Sequence, residues 1–166
     1  MSEDYRFHDY SGGCQCGAVR FHATELRDNP HVCYCRMCQK AMGNLFAALV
    51  GVRYEHLTWT RGTPSRFASS EHVDRGFCKD CGTPLFYHNR DGPHCSMAIG
   101  AFDEPHRIPI LYQMGIEGRH PIIPNLNTVE ELGTTEQADG AEQVAAIKAG
   151  NHQHPDHDTA TWPEPK

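Results

Sequence analysis

Eight cysteines in 166 residues are where this sequence can do chemistry. Cys14 and Cys16 form a CxC pair. Cys33, Cys35 and Cys38 form a CxCxxC triplet. Cys78 and Cys81 form a CxxC knuckle followed by Gly82, and Cys95 stands alone. A tight turn between two thiolates sends both to one side of the chain, where they can share an ion. Gly82 reads as relief of crowding where the backbone turns back on the Cys81 sulfur. Zinc takes four ligands in a closed structural site and keeps one position open in a catalytic site. The seven clustered cysteines therefore divide as four plus three. Cys14, Cys16, Cys78 and Cys81 form the closed site; Cys33, Cys35 and Cys38 form one with a vacancy. Spacing alone does not force this division. The triplet can recruit a cysteine from another pair, or a histidine such as His31 can complete it as a second structural zinc. Iron–sulfur ligation is a chemical competitor. Cys95 lies on the apolar face of a strand pattern and is assigned to the core as a small hydrophobe.

Composition narrows the class. Hydrophobic residues make up 39% and charged residues 22%, as in globular domains, and a mean hydropathy of −0.59 leans polar. No run of 18 or more apolar residues occurs, so no membrane segment is expected. The N-terminus MSEDYRFHDY lacks the features of a signal or transit peptide, which points to a cytoplasmic protein. In that reducing compartment, clustered cysteines are metal ligands or catalytic groups more often than disulfides. The net charge is −6, and residues 133–166 hold six acidic and two basic residues of the total. Neither part has the basic footprint of a nucleic-acid binder.

The elements that must position the cysteines are short and mainly β. Residues 18–24, 45–52, 56–60, 83–88 and 94–102 read as strands in an antiparallel domain punctuated by Gly, Pro, Asn and Asp. A short helix is expected over 36–42 and another over 135–149, stopped by Gly150 and Asn151. Residues 1–132 read as the zinc-binding domain and 133–166 as an acidic helix and extended arm. Trp162 is the only aromatic residue of that second part. The histidines His152, His154 and His157 have irregular spacing and read as a solvated arm rather than a metal site.

Three segments carry a family resemblance. They are Gly13 to Arg20 (GCQCGAVR), Cys33 to Lys40 (CYCRMCQK) with Gly43, and Arg75 to Leu85 (RGFCKDCGTPL). In that order, over about residues 10–115, they resemble the glutathione-dependent formaldehyde-activating enzyme family, whose domain is shared with centromere protein V. The tail from Gln153 to Asp158 also resembles endings of bacterial members. The resemblance implies a β-tent of small antiparallel sheets organised around zinc, with an arm packed on it. It implies that Cys14, Cys16, Cys78 and Cys81 hold a structural zinc. It implies that Cys33, Cys35 and Cys38 hold a second zinc, linked to glutathione as cosubstrate and to catalysis.

Three thiolates suit a thiol substrate. They leave Zn²⁺ with a net charge of −1, a poor centre for ionising water but a good one for a thiolate that must stay nucleophilic. Arg36 and Lys40, beside the triplet, are placed to meet the carboxylates of glutathione, and Gln39 its peptide. The competing assignment for all three is a solvated helix face. Arg75 reads as a structural arginine. The expected function is a carbon–sulfur lyase-type enzyme that joins glutathione to formaldehyde or another small aldehyde. The alternative is a non-catalytic zinc module that recognises a protein or small thiol. A thiol–disulfide oxidoreductase is disfavoured, because Cys78 and Cys81 lack a βαβ context.

Overall fold

A computed structural model describes residues 3–161. Trp162 and the residues after it lie outside the described part. Ten strands run in chain order: β1 (Tyr10–Gly13), β2 (Arg20–Ala23), β3 (His31–Cys33), β4 (Ala47–Arg53), β5 (Leu57–Arg61), β6 (Ser65–Ala68), β7 (Val73–Phe77), β8 (Pro84–Asn89), β9 (His94–Ala98) and β10 (Tyr112–Met114). The helices are α1 (Arg36–Met42), α2 (Thr135–Asp139) and α3 (Ala141–Ala149). No helix among the described residues is long and apolar enough to cross a membrane.

The strands form two sheets, of order β1-β2-β5 and β10-β3-β4-β9-β8-β7-β6. All pairs are antiparallel except β10 with β3. The mainly β character read from the sequence holds. β4 lies between β3 and β9, and its run AALVGVR is almost wholly buried, which explains a strand with no polar face. α1 spans 36–42 as expected. The strand expected over 94–102 stops at Ala98, because residues Ile99–Ala101 wind into a 3-10 turn. Cys95 and Met97 still face the core as read. The single helix expected over 135–149 is two helices. Gly140, at φ +90°, ends α2 and starts α3, a conformation no helix interior permits.

Aromatic side chains bind the small sheet to the large one. Phe21 of β2 meets Phe102 edge-on at 5.0 Å and Trp59 of β5 at 5.9 Å, and Trp59 meets Phe86 of β8 at 5.9 Å. Phe21 is fully buried. Each such pair adds about 0.5–1.5 kcal/mol beyond the area it buries.

The C-terminal arm packs on this framework. The His154 amide donates to the Gln15 carbonyl at 2.7 Å. Its ring is 4% exposed and hydrogen-bonds Arg61 and Thr159, so this histidine is not solvated as expected. Below the arm, Arg20 is 3% exposed and donates to Asp103 of the core and to Asp158 of the arm. Ser11 also donates to Asp103 at 2.6 Å. Burial alone would raise the Asp103 carboxyl, but the bonds from Arg20 and Ser11 outweigh it and hold it below the ordinary carboxylate range. Its contribution to stability is therefore present at neutral pH and is lost as pH falls through that depressed value.

The two carboxylates differ in exposure, 8% for Asp103 against 55% for Asp158. Asp103→Ala leaves the Arg20 charge buried with one half-exposed partner, and is expected to cost about 3–5 kcal/mol. Asp158→Ala removes a mostly exposed partner and is expected to cost about 1 kcal/mol. Urea unfolding at neutral pH measures both; equal losses would show that Asp103 is not the main partner.

Candidate metal centres and the adjoining cleft

The closed site forms where two loops from different sheets meet. Cys14 and Cys16 lie on the loop joining β1 to β2 in the small sheet. Cys78 and Cys81 lie on the loop joining β7 to β8 in the large sheet. The first loop is folded back by Cys14 N–H to Val19 carbonyl (2.9 Å) and Gly17 N–H to Cys14 carbonyl (3.0 Å). The second is closed by Cys78 N–H to Thr83 carbonyl (3.0 Å) and Gly82 N–H to Cys78 carbonyl (2.9 Å). Gly82 has φ +79°, while a Cβ there would meet nothing within 4 Å. The glycine serves the left-handed backbone and does not relieve crowding, a correction to the sequence reading.

The four sulfurs lie within 4.8 Å of one another. Cys14 and Cys16 Sγ are 3.6 Å apart, and Cys16 and Cys78 Sγ 3.8 Å. None of the eight cysteines is in a disulfide. The Val19 amide donates to Cys14 Sγ at 3.2 Å. Burial pushes the Cys14 thiol up to about 12. Burial also opposes ionisation of Cys81, but bonds from the Thr83 hydroxyl and nearby amides outweigh it and bring that thiol down to about 6. Four convergent sulfur donors in a tight, largely buried group fit a tetrahedral thiophilic ion.

The triplet is built within one segment. Cys33 ends β3, Cys35 caps α1, and Cys38 falls in its first turn, where its amide donates to Cys35 Sγ at 3.4 Å. That strand-to-helix corner brings the three sulfurs within 4.8 Å, with no fourth Cys, His, Asp or Glu in the group among the described residues. His31 does not complete it. Its Nδ1 is paired with the Asn29 carbonyl at 2.7 Å. The tail histidines join neither group. Burial raises the Cys33 thiol to about 12; for Cys35, amide and neighbouring thiol hydrogen bonds outweigh burial and lower it. The segment after β10 braces this corner. The Tyr34 amide bonds the Met114 carbonyl at 2.9 Å, and a Cβ on Gly115 would come within 2.6 Å of the Cys35 nitrogen.

A cleft of about 800 Å³ opens beside α1. Arg36, Met37 and Lys40 of α1 line it together with Phe67, Arg75 and Phe86. Gly76 makes room for the Phe86 ring, which a Cβ would meet at 2.0 Å. Arg36 and Lys40 thus face the cleft. Gln39 is partly committed to the protein: its Nε2 donates to the Gly118 carbonyl at 2.8 Å, and its Oε1 accepts from Arg36 at 3.3 Å.

Arg75 is the residue the sequence reading undervalued. Its Nη2 reaches Cys38 Sγ at 3.7 Å, and its guanidinium stacks 5.3 Å over the Tyr87 ring. The only signal was its place in the RGFC segment, where nothing shows that β7 will lie against the triplet.

A Schizosaccharomyces pombe protein described as an uncharacterized lyase is 27% identical over 84 residues, which is 51% of this chain. The match spans 61% of that relative's length. A crystal structure of a Rhodobacter sphaeroides protein is 25% identical, covers 55% of this chain and 85% of its own, and superposes with a TM-score of 0.44. The model of the family described as glutathione-dependent formaldehyde-activating enzyme matches residues 9–114, the stretch that contains both cysteine groups and the walls of the cleft. The chain belongs to the glutathione-dependent formaldehyde-activating enzyme family.

Proposed function

We propose that this protein is a zinc-dependent carbon–sulfur lyase-type enzyme that joins glutathione, or a related thiol, to formaldehyde or another small aldehyde. The observation that carries the reading is the three-sulfur group of Cys33, Cys35 and Cys38. It lacks a fourth Cys, His, Asp or Glu ligand among the described residues, and its neighbours Arg36, Lys40 and Arg75 line a cleft. The family match and the name of the yeast relative support a lyase-type activity on a glutathione-related substrate.

Cys14, Cys16, Cys78 and Cys81 would hold one zinc ion and Cys33, Cys35 and Cys38 another. At the second site the ion supplies a position for a thiol that ionises yet stays nucleophilic. The residues around it select and orient that thiol. Arg36 and Lys40 meet its carboxylates from the exposed side of α1. Gln39, held between Arg36 and Gly118, fixes the direction of the Arg36 guanidinium. In the addition, the glutathione sulfur forms a bond to the carbonyl carbon. The carbonyl π pair passes to oxygen, which takes up the proton the thiol gave up. The product is S-hydroxymethylglutathione. The apolar walls at Met37, Phe67 and Phe86 limit water around the adduct.

The competing reading, a zinc module that binds a protein partner, draws on Ile110, Tyr112, Met114 and Ile116, exposed in and beside the edge strand β10. The open three-sulfur group favours small-molecule chemistry.

Two measurements test the proposal. Metal analysis is expected to find two zinc equivalents in the wild type and one in Cys35→Ser, with an unchanged circular dichroism spectrum. Cys78→Ser is expected to lose cooperative melting, since its sulfur belongs to the group at which loops from the two sheets meet. Loss of folding in Cys35→Ser would instead make the second site structural. In the cobalt-substituted protein, titration with glutathione is expected to intensify thiolate-to-cobalt absorption. An unchanged spectrum would reject the thiol role.

A further inference from the structure

Arg75 stands out among the groups the proposed chemistry leaves unused. It is a half-buried cation with no carboxylate within ion-pair distance among the described residues. Its Nε donates to the Ser69 hydroxyl at 3.3 Å, its plane covers the Tyr87 ring, and its Nη2 lies 3.7 Å from Cys38 Sγ. Its Nη1 is fully buried and has no hydrogen-bond partner. A guanidinium withdrawn from water without an anion is costly. Arg66 and Arg90, on the same region of sheet, both pair with Asp74. Arg75, next in sequence to Asp74, points instead to the sulfur group. The group opposite it is Cys38 Sγ, one of the three sulfurs of Cys33, Cys35 and Cys38.

We propose that Arg75 is the positioning residue that supplies the counter-charge for a thiolate substrate at the three-cysteine site, acting through Cys38. The inference rests on the reading that this site takes a thiol as fourth ligand. Three thiolates and a divalent ion carry −1, and a fourth thiolate raises that to −2, which a largely buried site disfavours. A guanidinium touching one of the sulfurs offsets one of those charges. It thus favours an anionic fourth ligand over a neutral one such as imidazole. Charge-assisted N–H bonds to a ligand sulfur act in this way on the acidity and affinity of a metal-bound group. The Ser69 bond and the Tyr87 ring hold the guanidinium in place, so that its charge does not drift into the cleft it borders.

The test uses the cobalt-loaded full chain as wild type, Arg75→Met and Arg75→Lys, titrated with 2-mercaptoethanol and, separately, with imidazole. 2-Mercaptoethanol has no carboxylate, so any effect on it reports charge at the metal group and not recognition of glutathione's ends. Both variants are expected to keep two metal equivalents. Arg75→Met is expected to bind the thiol roughly 10-fold to 100-fold more weakly, the range typical of a lost outer partner of a metal ligand. Its imidazole affinity is expected to match the wild type, and Arg75→Lys is expected to recover most of the thiol affinity. Equal thiol affinities for wild type and Arg75→Met would overturn the inference and leave the functional proposal standing. So would equal loss of thiol and imidazole binding, or loss of the second metal from both variants, each of which marks a structural arginine. No thiol binding to the wild type would reject the functional proposal itself.

Discussion

The constraint on which this structure depends is the convergence of four sulfurs from two loops that belong to different sheets. Cys14 and Cys16 leave the small sheet, Cys78 and Cys81 leave the large one, and their sulfurs meet within 4.8 Å. The small sheet has three short strands and shares no ladder with the large one among the described residues; an isolated bridge joins Gly12 to Phe102, past the end of β9. Two loops held at one point, with edge-on and tilted contacts among the Phe21, Trp59 and Phe86 rings, fix the mutual angle of the sheets. Metal bound at such a junction couples to folding, because the ligand set does not exist in the unfolded chain.

The second group uses the opposite construction. Cys33, Cys35 and Cys38 sit on consecutive turns of one segment, so their convergence needs only a strand end and a helix start. This group does not join sheets, and its α1 neighbours Arg36, Met37 and Lys40 line a cleft. Both groups are largely buried; they differ in donor count, four sulfurs at a junction between sheets against three within one segment. Four ligands complete a tetrahedral ion, whereas three leave a position for an exogenous one.

The arm adds a further layer over the closed group. His154 bonds the Gln15 carbonyl between the two cysteines, and Asp158 shares Arg20 with Asp103. Arg61 reaches the Thr159 carbonyl and the His154 ring. The arm thus supplies hydrogen-bond partners to the buried Arg20 and the half-buried Arg61.

The sequence by itself determined the cysteine groups, the extent of α1 and the mainly β character. All three are local: CxC, CxxC and CxCxxC spacings fix which sulfurs can point together, and alternating short runs fix strands. It also gave the four-plus-three division, though several divisions were open until tertiary contacts joined the loops. What only the tertiary structure decided were contacts between residues far apart in the chain. Arg75 meets Cys38 because β7 is carried past α1 by the order of strands in the large sheet. His31 turns to Asn29 instead of to the sulfurs, and His154 is buried under its own arm. The helix expected across Gly140 breaks there because the backbone takes φ +90°, a conformation open to glycine, and Val144 of the second helix is buried.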